Sequence, residues 1–298
     1  MSLKSGEVYF SEQSGSFTIP ESISLFGFSV SFFGVFLVVA ALVGMIVVKE
    51  AARRKQQNTE WTLTFFTLII VSSLLGARLY YVFFEWERFV QNPLGILNLR
   101  SGGLAYFGAL FGAWFVLKWV CRRKQTDFFQ YADTMSIGAS AAAPFVWLGC
   151  MFVREPLGKF YDGMFAMRVG TEYLPAELLE KNTEELFSNV GRIGGRPYAS
   201  MHPVALYGMG MSLIIFAVLC VIGWKVKQEG TVFTVYLLLN AISMIVTESF
   251  RADGLYVFGT EIPANYVVAG VLIAVILGDR LRKEILKRKK KNKIFPEG

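Results

Sequence analysis

The stretch that decides the fold lies near the beginning of the chain, where residues 23–48 read ISLFGFSVSFFGVFLVVAALVGMIVV. No charged residue interrupts this run. Its length exceeds the ~20 residues that an α-helix needs to cross the hydrocarbon core of a bilayer, and it is too long for the apolar part of a cleavable signal peptide. The pattern therefore predicts a transmembrane helix from Ile23 to Val48.

The rest of the chain continues this apolar character. Of its 298 residues 54% are hydrophobic and only 18% are charged, and the mean hydropathy is +0.45, whereas about a quarter of a soluble chain is charged. This composition excludes an ordinary soluble domain. Together with six further apolar runs, it predicts an all-α integral membrane protein, a bundle of seven transmembrane helices. The six runs are Thr62–Phe84, Gly102–Val120, Thr134–Val153, Pro203–Trp224, Thr231–Thr247 and Pro263–Gly278.

The basic residues predict the orientation of these spans. One alternating set of connections, together with the C-terminal tail, holds 19 lysines and arginines, and the other set holds 10. Because short loops rich in lysine and arginine stay in the cytoplasm, the N-terminus is expected outside and the C-terminus inside. Residues 1–22 then form an extracytoplasmic segment, residues 23–280 the seven-span domain and residues 281–298 a basic cytoplasmic tail.

Residues 154–200 form a small extracytoplasmic insertion between spans 4 and 5, where clustered glutamates predict a solvated helix over roughly Pro175–Val190. The basic tail favours contact with anionic membrane lipid over nucleic-acid binding, so no nucleic-acid partner is expected. Three cysteines without metal-ligand spacing and a single histidine indicate neither a disulfide framework nor a metal site. No cofactor motif is present.

Charged and glycine-rich positions at membrane depth are the candidate functional positions, because hydrocarbon makes them costly. Span 3 begins with a glycine-rich segment, residues 100–112, whose backbone N–H groups suit a phosphate; close helix packing is the equal alternative. At the end of span 4, residues 154–158 read REPLG. The alternative here is an ordinary salt-bridged loop.

Two further positions complete the set. His202 begins span 5, where a structural hydrogen-bonding role is the alternative to a base. Glu248 and Arg251 close span 6 at i,i+3 spacing, which places them on one helix face as an expected ion pair. Arg78, deep in span 2, is expected to pair with an acid of the outer side such as Glu248 or Glu155. All these features lie at the outer leaflet and suit a protein that handles a phospholipid headgroup.

In this order the motifs resemble those of the prolipoprotein diacylglyceryl transferase family. The resemblance runs through most of the chain and rests on residues 76–84 (GARLYYVFF), 102–112 (GGLAYFGALFG), 122–133, 202–207 (HPVALY) and 230–253, which includes Glu248, Arg251 and Asp253.

The resemblance implies transfer of the diacylglyceryl group of phosphatidylglycerol to the lipobox cysteine of preprolipoproteins, in a bacterial plasma membrane and without a cofactor. The implied partners are phosphatidylglycerol, the preprolipoprotein signal-peptide segment and membrane lipid. The implied catalytic residues are Glu155, Glu248, Arg251 and His202. The implied headgroup-binding positions are Arg78, Arg154, Gly102, Gly103, Gly108 and Trp147.

Several positions depart from the family pattern. Arginines of the family fall on Trp147 and Met244, its motif histidine on Phe107 and a glutamate on Gly208, while Phe26 and Cys150 replace a tyrosine and an asparagine. Neither tryptophan nor methionine replaces an arginine on phosphate. The alternative function is therefore a catalytically degenerate member that binds phospholipid or lipoprotein segments without transfer.

The two functions predict different structures. If headgroup chemistry is retained, at least two of Arg78, Arg154 and Arg251 converge on one outer cavity. If it is lost, Trp147, Met244 and Phe107 pack into an apolar plug and the arginines are dispersed.

Overall fold

The computed structural model describes residues 5–9, 17–20, 22–25, 28–91, 93–97, 103–163, 165–171, 174, 190–193, 196–257 and 260–294. Most of these residues are helical, which confirms a predominantly helical body. The helices are α1 (Phe32–Arg54), α2 (Thr59–Phe84), the short α3 (Trp86–Gln91), α4 (Tyr106–Lys124), α5 (Phe128–Val153), α6 (Val204–Lys225), α7 (Thr231–Ser249) and α8 (Ala264–Ile294), with a 3₁₀ turn at Pro93–Leu97.

Five of the described helices, namely α1, α2, α5, α6 and α7, are long and apolar enough to cross a membrane. In α8 the apolar part is shorter, Ala264–Asp279. Helix α4 begins at Tyr106, later than the predicted third span, and its last turn carries three basic residues, which shortens its apolar run. The chain is a multi-pass helical membrane protein; the count of seven spans and their orientation stay predictions.

The first span begins later than predicted. A two-stranded antiparallel hairpin occupies its expected start, with β3 (Ser22–Leu25) paired to β4 (Phe28–Ser31), and α1 starts only at Phe32. Serines alternate with apolar residues on both strands, and this period of two is typical of a strand rather than a helix. The sequence interpretation missed this alternation because it lies inside the longer apolar run of residues 23–48.

A five-stranded antiparallel sheet outside the helices corrects the all-α prediction. Its strands are β1 (Ser5–Tyr9), β2 (Phe17–Pro20), β5 (Met167–Gly170), β6 (Val190–Ile193) and β7 (Arg196–Met201), in the order β2-β1-β5-β7-β6. The N-terminal segment and the insertion after α5 therefore share one sheet, joined by pairing of Val8 with Val169. The helix predicted over Pro175–Val190 falls almost entirely outside the described residues; only Val190 is described, and it begins β6.

The helix ends sort into two groups. Phe65, Leu117 and Tyr131 belong to one buried cluster that joins the first turns of α2 and α5 to the last turns of α1 and α4. Leu219 and Val232 belong to a second cluster, formed by the end of α6, the start of α7 and neighbouring parts of α1 and α5. The α1–α2, α4–α5 and α6–α7 connections thus lie together at one end of the bundle, which we call the Asp133 end.

At this end Asp133 ties α5 to the beginning of α7. Its carboxylate accepts hydrogen bonds from the backbone N–H of Gly230 (2.9 Å) and of Phe233 (2.7 Å), and its side chain is only 3% exposed. Gly230 has φ +80°, a conformation that favours glycine. The Lys55 Nζ atom lies 3.7 Å from the same carboxylate. Asp133 therefore serves as a tertiary cap for α7, whose first N–H groups have no helical partner.

Helices α2 and α4 approach each other through glycines. A Cβ atom at Gly108 would overlap the carbonyl oxygen of Gly76, and one at Gly112 would overlap that of Ser72. Such close backbone approach is the common role of small residues in membrane helices. Gly108 and Gly112 therefore serve close helix packing, which was the alternative to phosphate binding for the glycine-rich segment.

Candidate functional site

A buried ion pair lies at the end of the bundle opposite the Asp133 end, in and after the last turn of α7. The Glu248 Oε2 atom accepts a hydrogen bond from Arg251 Nη1 (3.3 Å) and one from Asn265 Nδ2 (2.8 Å). The Glu248 side chain is 2% exposed, whereas that of Arg251 is 22% exposed. The predicted pairing of Glu248 with Arg251 is confirmed, and α8 contributes a third member, Asn265.

Arg251 is held by a second carboxylate as well. Its Nε atom donates to Asp253 Oδ1 at 3.1 Å and its Nη2 atom to the Asp253 carbonyl at 3.2 Å. Burial by itself lowers the pKa of Arg251, but the nearby carboxylates of Asp253, Glu248 and Glu155 outweigh it, so the pKa lies above the ordinary arginine value. The guanidinium is therefore permanently charged.

The segment that follows α5 lies alongside the Arg251 loop. Leu157 N donates to Asp253 Oδ2 (2.9 Å) and Leu157 O accepts from Ala252 N (2.9 Å), while Lys159 N donates to the Phe250 carbonyl (2.8 Å). On its other side Lys159 O accepts from His202 N at 3.0 Å. Residues 157–159 thus form a bridge between the end of β7 and the loop that carries the ion pair.

Gly158 makes this bridge possible, because a Cβ atom there would overlap the His202 carbonyl. Arg154 precedes the bridge: it is buried, 6% exposed, and ends α5 with φ +57°. Glu155 is exposed and lies within electrostatic range of Arg251. The structure therefore brings the loop of Arg154 and Glu155 next to that of Arg251, as the sequence interpretation requires.

His202 lies in an aromatic cage beside this bridge. Its ring stacks on Tyr161 with centroids 4.1 Å apart and packs against Phe250 at 4.9 Å, and its Nδ1 atom is 3.1 Å from the Tyr207 hydroxyl. Burial and the charge of Lys159 lower the pKa of His202 below its ordinary value. The imidazole is therefore neutral at pH 7 and adjoins the residue before Arg251.

Backbone carbonyls hold the Arg78 side chain. It is 5% exposed and donates to the backbone carbonyls of Gly95 (2.7 Å), Ile96 (2.9 Å) and Gly103 (3.2 Å). Glu248, one of the two partners expected for it, is bonded to Arg251 and Asn265 instead. In these contacts Arg78 fixes the segment between α3 and α4.

The glycine positions divide as follows. Gly103 has φ +76° and lies against Tyr81 and Arg78, Gly108 is in the α2–α4 contact, and Gly102 lies outside the described residues. A headgroup-binding role for them stays a prediction.

The positions that depart from the family pattern come together in space. Phe107 and Met244 share one buried cluster with Tyr80 and Trp147 packed against it. Phe107 is 1% exposed and Met244 5%. The Trp147 ring covers Gly208, where a Cβ atom would lie 2.7 Å or less from the ring. The apolar packing of Trp147, Met244 and Phe107 is the arrangement expected if headgroup chemistry is lost, although the Arg154 and Arg251 loops are adjacent.

Sequence reasoning missed two polar residues at this place. Asn265 is 6% exposed near the start of α8, and the Tyr80 hydroxyl is buried. A polar amide inside the apolar run Pro263–Gly278 was a usable indication of Asn265, whereas no local pattern indicates that the Tyr80 hydroxyl is buried.

The molecule is thus a multi-pass membrane protein with a buried, ion-paired polar site at one end of a helical bundle. Residues 20–281 match the family profile described as prolipoprotein diacylglyceryl transferase, and the chain belongs to that family. It is similar to the phosphatidylglycerol–prolipoprotein diacylglyceryl transferase of Finegoldia magna, with 25% identity over 271 residues that cover 91% of this chain and 98% of the relative. Transferase 1 of Clostridium perfringens shares 26% identity (86% and 92% covered), and the Clostridium botulinum (strain Langeland) enzyme 27% (83% and 91%).

Proposed function

We propose that the protein transfers the diacylglyceryl group of phosphatidylglycerol to the lipobox cysteine of preprolipoproteins. Family membership and the names of its relatives support this activity. The observation that carries it is the buried Glu248–Arg251 pair, braced by Asn265 and Asp253 and set beside the loop of Arg154 and Glu155. Charges buried at the end of a membrane helix are costly and usually functional.

In this reaction the cysteine sulfur attacks the glyceryl carbon that carries the phosphate. The carbon–sulfur bond forms as the carbon–oxygen bond breaks, glycerol phosphate leaves with the electron pair, and the thiol proton passes to a base. Arg251 uses three N–H donors in the contacts above and a guanidinium has five, so donors remain for the phosphate. Arg154 and Arg78, with Gly102, Gly103 and Gly108, are the proposed further headgroup positions. Glu155, Glu248 and the neutral His202 are the proposed proton acceptors.

A second candidate function is favoured by the apolar cluster. Phe107, Met244 and Trp147 offer a leaving phosphate no cation, and an oxyanion in a dry site requires fixed positive charge or N–H donors. Such a cluster suits alkyl chains. A family member that binds phospholipid or lipoprotein segments without transfer is therefore the alternative.

Complementation separates the two functions. The protein is expressed in a bacterium whose own transferase can be depleted, and growth and the lipidated fraction of a reporter lipoprotein are measured. Growth supports transfer. Stable membrane protein without growth, but with phosphatidylglycerol retained on purification, supports the binding function. If the stable protein gives neither growth nor retained phosphatidylglycerol, both functions are contradicted. Arg251→Ala should abolish the activity observed, whereas Arg54→Ala, which changes an exposed arginine at the Asp133 end, should not.

We also propose seven spans in a bacterial plasma membrane, with the Asp133 end in the cytoplasm. In support, four cations lie over tryptophan rings at this end, in pairs typical of an interface between membrane and water; the pairs are Arg54–Trp224, Lys118–Trp114, Arg123–Trp119 and Lys124–Trp61. A reporter fused after Gly298 should be cytoplasmic and one inserted near Glu184 extracytoplasmic. The opposite location of either contradicts the proposed orientation.

A further inference from the structure

Four cations stand close together on the last two turns of α4, at the Asp133 end of the bundle. They are Lys118, Arg122, Arg123 and Lys124, of which the last three are exposed. In the part of the chain that the structure describes, none of the four has a carboxylate within ion-pair distance. The next carboxylate along the chain, that of Asp127, accepts from Gln130 N as the cap of α5. The end of α4 therefore carries a concentrated positive charge that these residues do not compensate.

Tryptophan rings hold three of these cations in place. The cation–ring pairs are Lys118–Trp114 (4.6 Å to the ring centroid), Arg123–Trp119 (5.4 Å) and Lys124–Trp61 (5.0 Å). Because a ring carries no net charge, it fixes the position of a cation without compensating it. The three side chains are thus positioned but remain available to an anion.

The connection between α1 and α2 has the same local sequence but a different electrostatic state. Residues 53–56 and 122–125 both read RRKQ, and the glutamine of each copy has a positive φ, +54° and +52°. In the first copy Arg54 Nε is bonded to Glu50 (2.8 Å), and the lysine Nζ lies 3.7 Å from the Asp133 carboxylate. The same four residues therefore lose part of their charge at one turn and keep it at the other.

An exposed aromatic face continues from the uncompensated cations toward the middle of α4. Its four rings are between 42% and 66% exposed and belong to Phe111, Trp114, Phe115 and Trp119. They follow Phe111 by 3, 4 and 8 residues, so they share one side of the helix with Lys118 and Arg122. Phe111 lies 13 residues before Lys124, about 20 Å along the helix, which is deep in the bilayer if the cations stand at its surface. Charge at the surface above an exposed apolar face matches a lipid, whose phosphate adjoins its chains.

We propose that the end of α4 binds the headgroup of an anionic phospholipid that carries two phosphates, with the acyl chains against the aromatic face. Four uncompensated cations within residues 118–124 match two phosphates better than one, and basic clusters at a membrane surface attract anionic lipid. A guanidinium binds a phosphate through two parallel N–H groups. This lipid is a bound component and not the substrate, because the Glu248–Arg251 site lies at the opposite end of the bundle. The inference therefore stands independently of the proposed function.

Native mass spectrometry of the whole protein in detergent measures this binding. The protein is titrated with tetraoleoyl cardiolipin, which has two phosphates, and with dioleoyl phosphatidylserine, which has one. A second phosphate that meets one or two further cations should tighten binding about five- to thirtyfold. Equal affinity of the wild-type protein for the two lipids overturns the proposal.

Two double variants that remove the same charge locate the site. Arg122→Gln/Arg123→Gln should weaken cardiolipin binding by about tenfold or more and bring the preference between the two lipids close to one. Arg53→Gln/Arg54→Gln changes the same pair in the other RRKQ copy and is the matched control, for which the affinity should change less than about twofold, since exposed charges farther away are screened. Lys118→Gln/Lys124→Gln removes the remaining two cations and should reproduce the loss. Size-exclusion profiles and thermal unfolding without added lipid establish that each variant is folded.

Three results contradict the site. An equal loss in the Arg122/Arg123 variant and in the Arg53/Arg54 variant reduces the binding to general attraction by a basic end. A cardiolipin preference that survives in the Arg122/Arg123 variant and in the Lys118/Lys124 variant places the lipid elsewhere. A single-stranded oligonucleotide that displaces cardiolipin at equal phosphate concentration shows that the acyl chains contribute nothing, and it assigns the cations to a soluble polyanion instead.

Discussion

Asp133 should make a large contribution to the free energy of unfolding, because its carboxylate satisfies two buried backbone N–H groups. Asp133→Ala leaves the backbone N–H groups of Gly230 and Phe233 buried without acceptors, and each such group costs about 1–3 kcal/mol. The Lys55 contact adds little, because that side chain is 26% exposed and 3.7 Å away. The substitution should therefore lower the free energy of unfolding by about 3 kcal/mol. Asp133→Asn keeps one acceptor and should lose about half as much.

The same helix supplies a matched control. Asp127 caps α5 through its contact with Gln130 N, but it is exposed, so Asp127→Ala should cost only about 1 kcal/mol. Thermal unfolding in detergent ranks the variants, and hydrogen exchange at the amides of residues 230–233 reports the cap directly. Equal losses for Asp133→Ala and Asp127→Ala, or unchanged exchange at the start of α7, would refute the assignment of Asp133 as a tertiary cap.

Three further predictions test the helix packing and the environment of His202. Gly112→Ala should destabilise the protein by about 1–3 kcal/mol, since the new methyl meets a backbone carbonyl of α2 that cannot turn away; a thermal shift as small as that of Gly210→Ala, where space is open, would contradict it. Gly208→Ala should cost a similar amount, and Trp147→Leu should relieve it, so that a double-mutant cycle measured by unfolding gives a coupling of about 1 kcal/mol or more; additive effects would argue against the contact. Because the pKa of His202 is below 6.5 in the folded state, the unfolded state binds more protons as the pH falls from about 6.5 through the folded pKa. Stability should decline in that window, and a melting curve of His202→Gln should decline less; identical pH profiles would exclude His202 as the cause.

Much of the helical body followed from the sequence, because apolar length is a local property. The predicted second, fifth and sixth spans coincide with α2, α6 and α7 to within a few residues at each end. The hairpin before α1 was missed because its alternation of serine with apolar residues lies inside a longer apolar run. The sheet was missed because β1 finds its partner β5 far along the chain, and no local pattern specifies such pairing.

The candidate site shows the same division. The spacing of Glu248 and Arg251 predicted their pairing, since i,i+3 neighbours share a helix face. The position of Asn265 and the covering of Gly208 by Trp147 could not be predicted, because both depend on contacts between helices. Trp147 and Gly208 appear in the sequence as two separate departures from the family pattern, whereas in the structure they are one exchange of volume between α5 and α6.

The pairing of β1 with β5 and of β5 with β7 has a consequence for biogenesis. Strand β1 leaves the ribosome first, yet its neighbour in the sheet is made only after four of the long helices, and β7 follows later still. During insertion one edge of strand β1 therefore stays unpaired until β5 is made. An unpaired strand edge can pair with other chains. The bridge of residues 157–159 contacts the Arg251 loop, which follows α7 in the chain, so the polar site can assemble only after α7 has entered the bundle. A chain halted before α7 would be held in the membrane by its apolar helices but would lack the site.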